Sequence, residues 1–216
     1  MLRAGVQYRV GSVTHVFPHV QIRGTHQYTS KDERTLTTLL LLLQDFDQVV
    51  ENLDYTISGG TLLGAIRHDG FIPWDNNVDI DLPREQALAL EQAYVKHSRA
   101  ELHKTLYGYR IVQPRTSSPS IDIYLTEFVS ERQVFQYVHE EIRTSYPNYL
   151  NRYADIHPRR RYVFENLTLW GPCNGILLSQ RIYGEDCLQT AIVSTQRDGL
   201  GTFFRRLFKP QTPSTR

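Results

Sequence analysis

The stretch SGGTLLGAIRHDGFIPWDNNVDIDL, residues 58–82, constrains this chain more than any other. It starts where a short strand, Tyr55–Ser58, is broken by Gly59-Gly60. Thr61 to His68 then reads as one or two helical turns, closed by the turn dipeptide Asp69-Gly70. Beyond it Val78, Ile80 and Leu82 alternate with Asp79 and Asp81, the period of a strand with one buried face. Bare glycine N–H groups at a strand-to-helix junction can approach a phosphate. Carboxylates at i and i+2 on a strand project from the same face and can share one hard cation. A phosphate loop beside a Mg²⁺ or Mn²⁺ site is the arrangement that phosphoryl and nucleotidyl transfer require.

The surrounding elements follow from periodicity. Ser30 and Glu33 have the spacing of a capping box. Behind them Leu36, Leu39, Leu40, Leu43, Phe46 and Val50 lie on one stripe, which predicts a long helix over 31–52. A helix is expected from Glu85 to Lys104, with Ala87, Leu90 and Tyr94 on one face. Strands are expected at Tyr109–Val112 and Ile121–Phe128, helix over 131–146, extended chain from Arg161 to Trp170, and helix from Leu177 to Ile192. Residues 1–29 carry only a weak strand signal. The interleaving of both element types predicts an α/β or α+β single domain with a mixed sheet.

Composition narrows the function classes. The chain has 216 residues, enough to bury a sizeable core, with 24 basic and 23 acidic residues and a formal net charge of +1. Nothing global therefore predicts nucleic-acid binding. The longest apolar run, Leu39–Leu43, is far short of the roughly 20 residues that cross a bilayer. No signal-peptide pattern opens the chain, so it is expected to be soluble and cytoplasmic, with a secretory lumen requiring a further targeting segment. Cys173 and Cys187 lack the spacing of a metal site and are too few for a disulfide framework. Asn166-Leu167-Thr168 fits a glycosylation sequon but falls in an expected strand. The basic run His157-Pro158-Arg159-Arg160-Arg161 reads either as a solvated face or as an attractor for an anionic ligand. The tail FFRRLFKPQTPSTR is basic and then polar, and its end is expected to be disordered.

The run GGTLLGAIRHDGFIPWDNNVDI resembles the signature of the LicD and fukutin-related family. That family includes phosphocholine and ribitol-phosphate transferases of nucleotidyltransferase-like fold. SIDIYLTEF is similar to the strand that bears the family's third acidic residue, and FENLTLW with RIYG resembles its C-terminal pattern. The resemblance covers roughly residues 30–190 and is strongest over 57–82. It implies a domain over 30–195 between an N-terminal extension and the tail 196–216.

It further implies that Gly59 and Gly60 hug the donor phosphates and that Arg67 neutralises their charge, while His68 and Trp74 shape the pocket. Asp79 is implied as a Mg²⁺ ligand. Asp122 is implied as a further ligand or as the acceptor of the hydroxyl proton. The chain departs from the pattern at Asn77, where the family carries an aspartate. Asp75 remains, and Asp81 adds a carboxylate along the strand, so the expected metal set is Asp75, Asn77, Asp79 and Asp81. The implied reaction moves a phospho-alcohol or phospho-sugar from a nucleotide-diphosphate donor, CDP-linked by expectation, to a glycan hydroxyl. Two rivals stand beside it: a catalytically degenerate module that binds nucleotide or glycan, and an enzyme that leaves the nucleotide on its product. The oligomeric state is open.

Overall fold

A computed structural model describes residues 3–24, 26–97, 99–147, 149 and 151–193. The expected disorder of the tail lies outside these residues. Along the chain run β1 (Gln7–Val10), β2 (Val13–Val16), β3 (Gln21–Arg23), α1 (Ser30–Val49), β4 (Thr56–Ile57), α2 (Gly59–His68) and β5 (Asn77–Pro83). After a 3-10 turn at Arg84–Gln86 come α3 (Ala87–His97), β6 (Glu101–Thr105), β7 (Gly108–Val112), β8 (Ser120–Val129) and β9 (Val134–Tyr137). The remainder is α4 (Glu140–Ser145), β10 (Asn151–Arg152), α5 (Tyr153–Ile156), β11 (Arg160–Phe164), β12 (Leu167–Gly171), α6 (Gly175–Tyr183) and β13 (Thr190–Ile192).

A seven-stranded mixed sheet organises the fold, with β5 and β8 parallel at its centre. One edge of β8 pairs with β5 from Ser120 to Thr126. The other pairs antiparallel with β7 over its first half and with β9 over its second. Val78, Ile80 and Leu82 turn to one side of β5 and are fully buried. The α1 stripe Leu36, Leu39, Leu40, Leu43, Phe46 and Val50 is buried as its period predicts and joins them in a single core cluster. Burial at roughly 25 cal/mol per Å² makes this helix–sheet contact stabilising. The N-terminal residues belong to the same core, which includes Tyr8, Val10 and Phe17.

Four local expectations are corrected. The capping box of α1 is Thr29 with Asp32, one residue earlier than predicted. Asp32 accepts the Thr29 N–H at 2.8 Å, and Thr29 sits in an extended conformation suited to a cap. The helix expected over 85–104 ends at His97, and Glu101–Thr105 is instead a strand that pairs with β7. Within 131–146, Gln133 has φ +53 and turns the chain so that Val134–Tyr137 returns along β8; only Glu140–Ser145 is helical. The last helix stops at Tyr183 because Gly184, at φ +98, takes the cap. Thr190–Ile192 then pairs parallel with β3.

The extended segment near 161–170 is a hairpin, β11–β12. Asn166 lies exposed in its turn rather than in a strand. Both cysteines are free. Among the described residues no helix is long and apolar enough to cross a membrane.

Candidate active site

The site forms where β4 hands over to α2, beside the parallel pair β5–β8. Gly59 has φ +50, and a Cβ there would lie 2.7 Å from Asp79 Oδ2, so only glycine admits this approach. At Gly60 a Cβ would lie 3.1 Å from Asp75 Oδ2 and 3.8 Å from Asp79 Oδ2, which places both carboxylates against the start of α2. The Gly60 N–H donates to Asp79 Oδ2 at 3.3 Å, and the Asp79 N–H donates to Thr61 Oγ1 at 2.8 Å. The Asn77 amide donates to Asp79 Oδ1 at 2.8 Å. At the position of the family's aspartate, then, asparagine supplies a hydrogen bond where a second negative charge would otherwise stand.

Asp122 faces Asp79 across the parallel register. Its carboxylate is gripped by Arg110, from Nε at 2.7 Å and Nη2 at 3.3 Å, and by the hydroxyls of Tyr107 at 2.8 Å and Ser120 at 3.4 Å. These four hydrogen bonds hold the carboxylate in a fixed position. Asp81 lies on the same strand face but is turned elsewhere: Ser58 donates to it at 3.0 Å, and the Tyr149 hydroxyl interacts with it.

The electrostatics are those of crowded anions. Burial, then the neighbouring Asp122 and Asp75, push the Asp79 carboxyl up to about 8. Burial raises Asp75 to about 7, opposed by the positive charge of Arg67. Burial likewise raises Asp81 to about 7 against its hydroxyl donors. A small cavity of about 40 Å³ beside Asp79 is lined by Gly59 and by Tyr124, Tyr137, Tyr146, Tyr149 and Tyr183. Burial raises every one of these phenols, so they remain protonated donors around the carboxylates.

Of the other sequence-predicted residues, Arg67 donates through Nη1 to the carbonyls of Cys187 at 2.7 Å and Thr190 at 3.0 Å. It straps the chain after α6 to α2 and acts on Asp75 through its field. His68 is buried, and that burial holds its imidazole well below its ordinary value, hence neutral. Trp74 is half-buried against Phe17 and His26. In the basic run, Arg159 pairs with Asp54, donates to the Tyr55 carbonyl at 2.9 Å and, like Arg161, lies over the Trp170 ring. Sequence reasoning missed Arg110, Tyr107 and the tyrosine lining. Arg110 carries no local signal; it becomes visible only once β7 is known to pair with β8.

A family model described as the LicD/FKTN/FKRP nucleotidyltransferase domain matches residues 52–174, more than half of the chain. The chain belongs to this family. The LicD-type stretch from Gly59 to Asp122 is the segment whose geometry is described above. Among individual relatives, the uncharacterized protein RP689 of Rickettsia prowazekii (strain Madrid E) is 26% identical over 190 residues, covering 84% of this chain and 68% of the relative. The uncharacterized protein RT0683 of Rickettsia typhi (strain ATCC VR-144 / Wilmington) is 27% identical over 186 residues, covering 84% of this chain and 57% of the relative. The lipopolysaccharide cholinephosphotransferase LicD of Haemophilus influenzae (strain ATCC 51907 / DSM 11121 / KW20 / Rd) is 53% identical over 34 residues, 16% of this chain and 13% of that protein. The chain is thus shorter than the relatives it matches, and LicD membership fixes a transferase-like domain of nucleotidyltransferase type.

The residues present suit a divalent cation. Among the described residues no three His, Cys, Asp or Glu side chains form a ready-made cage. Mg²⁺, however, is held by one or two carboxylates together with substrate phosphates. Asp75 and Asp79 supply such a pair at the start of α2, and their raised pKa values mark negative charge that a cation would relieve.

Proposed function

We propose that this chain is a Mg²⁺- or Mn²⁺-dependent phosphotransferase that moves a phospho-alcohol or phospho-sugar from a CDP-linked donor to a glycan hydroxyl. The observation that carries the reading is the convergence of Asp75 and Asp79 on the glycine start of α2. Asp75 and Asp79 would hold the cation, with the Asn77 side chain beside them. When bound, the cation supplies positive charge to the phosphoryl group being transferred.

The rest is positioning. The first turn of α2 presents its positive end to the donor phosphates, and the glycines let them approach the backbone. Protonated tyrosines donate hydrogen bonds and exclude water, which strengthens every interaction inside the site. Arg110 fixes Asp122 as an anchored negative group next to Asp79.

Mass spectrometry of reactions containing CDP-choline, CDP-ribitol or CDP-glycerol and a glycan acceptor tests this reading. The expected product is acceptor plus the phospho-alcohol, formed with Mg²⁺ and absent in EDTA. Acceptor carrying the nucleotide would assign nucleotidyl transfer instead. The exchange of a carboxylate for Asn77 favours one further reading, a binding module. Donor binding without cation-dependent turnover across the panel would establish it.

A further inference from the structure

Between α2 and β5 the chain from Gly70 to Pro73 is buried, yet it lies in neither helix nor strand. Its backbone groups therefore need partners from elsewhere in the fold. Residues remote in sequence supply them. The Glu165 N–H donates to the Asp69 carbonyl at 2.8 Å, and Glu165 Oε1 accepts the Phe71 N–H at 2.9 Å. The Tyr8 hydroxyl donates to the Phe71 carbonyl at 3.4 Å. The Gly70 N–H turns back to the Gly64 carbonyl at 3.4 Å, and the Asp75 N–H closes a turn on the Ile72 carbonyl at 2.9 Å. Asp75 thus follows directly from the clasped segment, and its carboxyl lies within 3.1 Å of a Cβ placed at Gly60.

Glu165 is shaped for this contact. Its side chain is fully buried, and its second oxygen meets His15 Nε2 at 2.5 Å. The residue takes φ +57, a left-handed conformation uncommon outside glycine and held in place by its surroundings. A Cβ at Gly70 would overlap the Glu165 carboxyl, so glycine alone lets the turn lie this close. His15 in turn stacks on Tyr8, with ring centroids 5.1 Å apart. Tyr8 and His15 precede the family-matched residues 52–174, so the N-terminal hairpin completes the clasp from outside them.

We propose that Glu165 is a positioning residue for the cation site: by holding Phe71 it sets where Asp75 stands relative to Asp79. It acts through the backbone of the turn and not on the reacting atoms. The role rests on Asp75 being a cation ligand. Mg²⁺ demands near-ideal octahedral geometry, so a displaced carboxylate loses much of its hold.

Mn²⁺ binding followed by electron paramagnetic resonance, with and without CDP, tests the role in Glu165→Met and Glu165→Gln. Methionine matches the side chain in length and removes the acceptor. Glutamine keeps an oxygen for Phe71 and an amide for His15. Mn²⁺ affinity should fall about 10–100-fold in Glu165→Met, the scale of lost outer-shell support, and return most of the way in Glu165→Gln. In donor turnover the half-saturating Mg²⁺ should rise by the same factor, with kcat at saturating Mg²⁺ close to wild type. A substitution that only destabilises the fold lowers the active fraction, hence kcat, and leaves half-saturation alone. Leu90→Val, in the buried core face of α3, serves as that control.

Trp74, made the sole tryptophan by Trp170→Phe, reports the turn in metal-free protein. Its emission should shift to the red in Glu165→Met and stay in place in Glu165→Gln. His15→Phe keeps a ring against Tyr8 while releasing Glu165, and it carries the same comparison if Glu165→Met does not fold. Unchanged Mn²⁺ affinity in Glu165→Met and His15→Phe, or an equal loss in Leu90→Val, would overturn the role. A wild type that binds no Mn²⁺ would sink the cation reading instead, and the Trp74 shift alone then decides whether the clasp holds the turn.

Discussion

Asp79 on β5 and Asp122 on β8 are register partners on adjacent parallel strands, yet their charges are compensated very differently. Asp122 holds a two-point grip from Arg110 and a phenol, whereas Asp79 receives the amides of Asn77 and Gly60 and, among the described residues, no cationic side chain within salt-bridge distance. The unbalanced charge of the site is therefore at Asp79, with Asp75 close by, and both carboxyls are raised toward the protonated form. Asp122 shapes the field from a fixed position.

The pH dependence of stability follows from this asymmetry. Burial and like charge raise Asp79 from the usual carboxylate value near 3.8 to about 8, and Asp75 to about 7. Between those limits the folded protein retains protons that the unfolded chain has released, so stability falls as pH rises. The contribution is fully present below about 4 and is lost as pH climbs through the folded values. Calorimetry in EDTA should show Tm declining from pH 5 to pH 8.5, less steeply in Asp79→Asn. Mg²⁺ should raise Tm at pH 8 more than at pH 5.

Arg110→Met should leave Asp122 with hydroxyl donors alone. Because the Arg110 side chain is 40% exposed, the loss is that of charged hydrogen bonds near the surface, about 1–3 kcal/mol, and urea denaturation measures it. Donor turnover should fall as well, since the negative field beside Asp79 is no longer fixed. A variant as stable and active as the wild type would show that the pair is incidental.

Asn77→Asp replaces a 2.8 Å hydrogen-bond donor to Asp79 with a like charge. Metal-free protein should lose stability at pH 8, because another carboxylate joins the crowd at Asp79. With Mg²⁺ the same charge becomes a ligand, and turnover should rise by up to about 10²-fold, the scale of one preorganised electrostatic element. A Mg²⁺ titration of donor turnover in both proteins checks the two halves together.

On the other side of α2, near His68, His15 of β2 meets Glu165 of the β11–β12 turn at 2.5 Å, and Glu165 also accepts the Phe71 N–H at 2.9 Å. The Glu165 side chain is fully buried, so His15→Ala should cost about 3 kcal/mol by leaving that carboxyl without its buried partner. Gly70→Ala should be at least as damaging, because its Cβ would collide with the same carboxylate. Denaturation of each variant should show lower midpoints, with the N-terminal hairpin becoming protease-sensitive.

What the sequence determined by itself is what short-range physics encodes. The leucine stripe of α1 repeats at the helical period, Val78, Ile80 and Leu82 repeat at two, and the glycines and Asp69-Gly70 punctuate α2; each signal depends only on neighbouring residues. The same stretch also revealed the candidate carboxylates and glycines. Tertiary structure decided the rest, because strand pairing and burial are set by residues distant in the chain. Glu101–Thr105 and Thr190–Ile192 are strands because β7 and β3 are there to accept their hydrogen bonds. Asp81 shares a face with Asp79 in the alternation, yet Ser58 and Tyr149 claim it for another cavity. Arg110 reaches Asp122 only through the β7–β8 register, and the pKa of Asp79 rises because the fold buries it beside Asp122 and Asp75. No local pattern carries those distances, since each depends on where two remote segments come to rest.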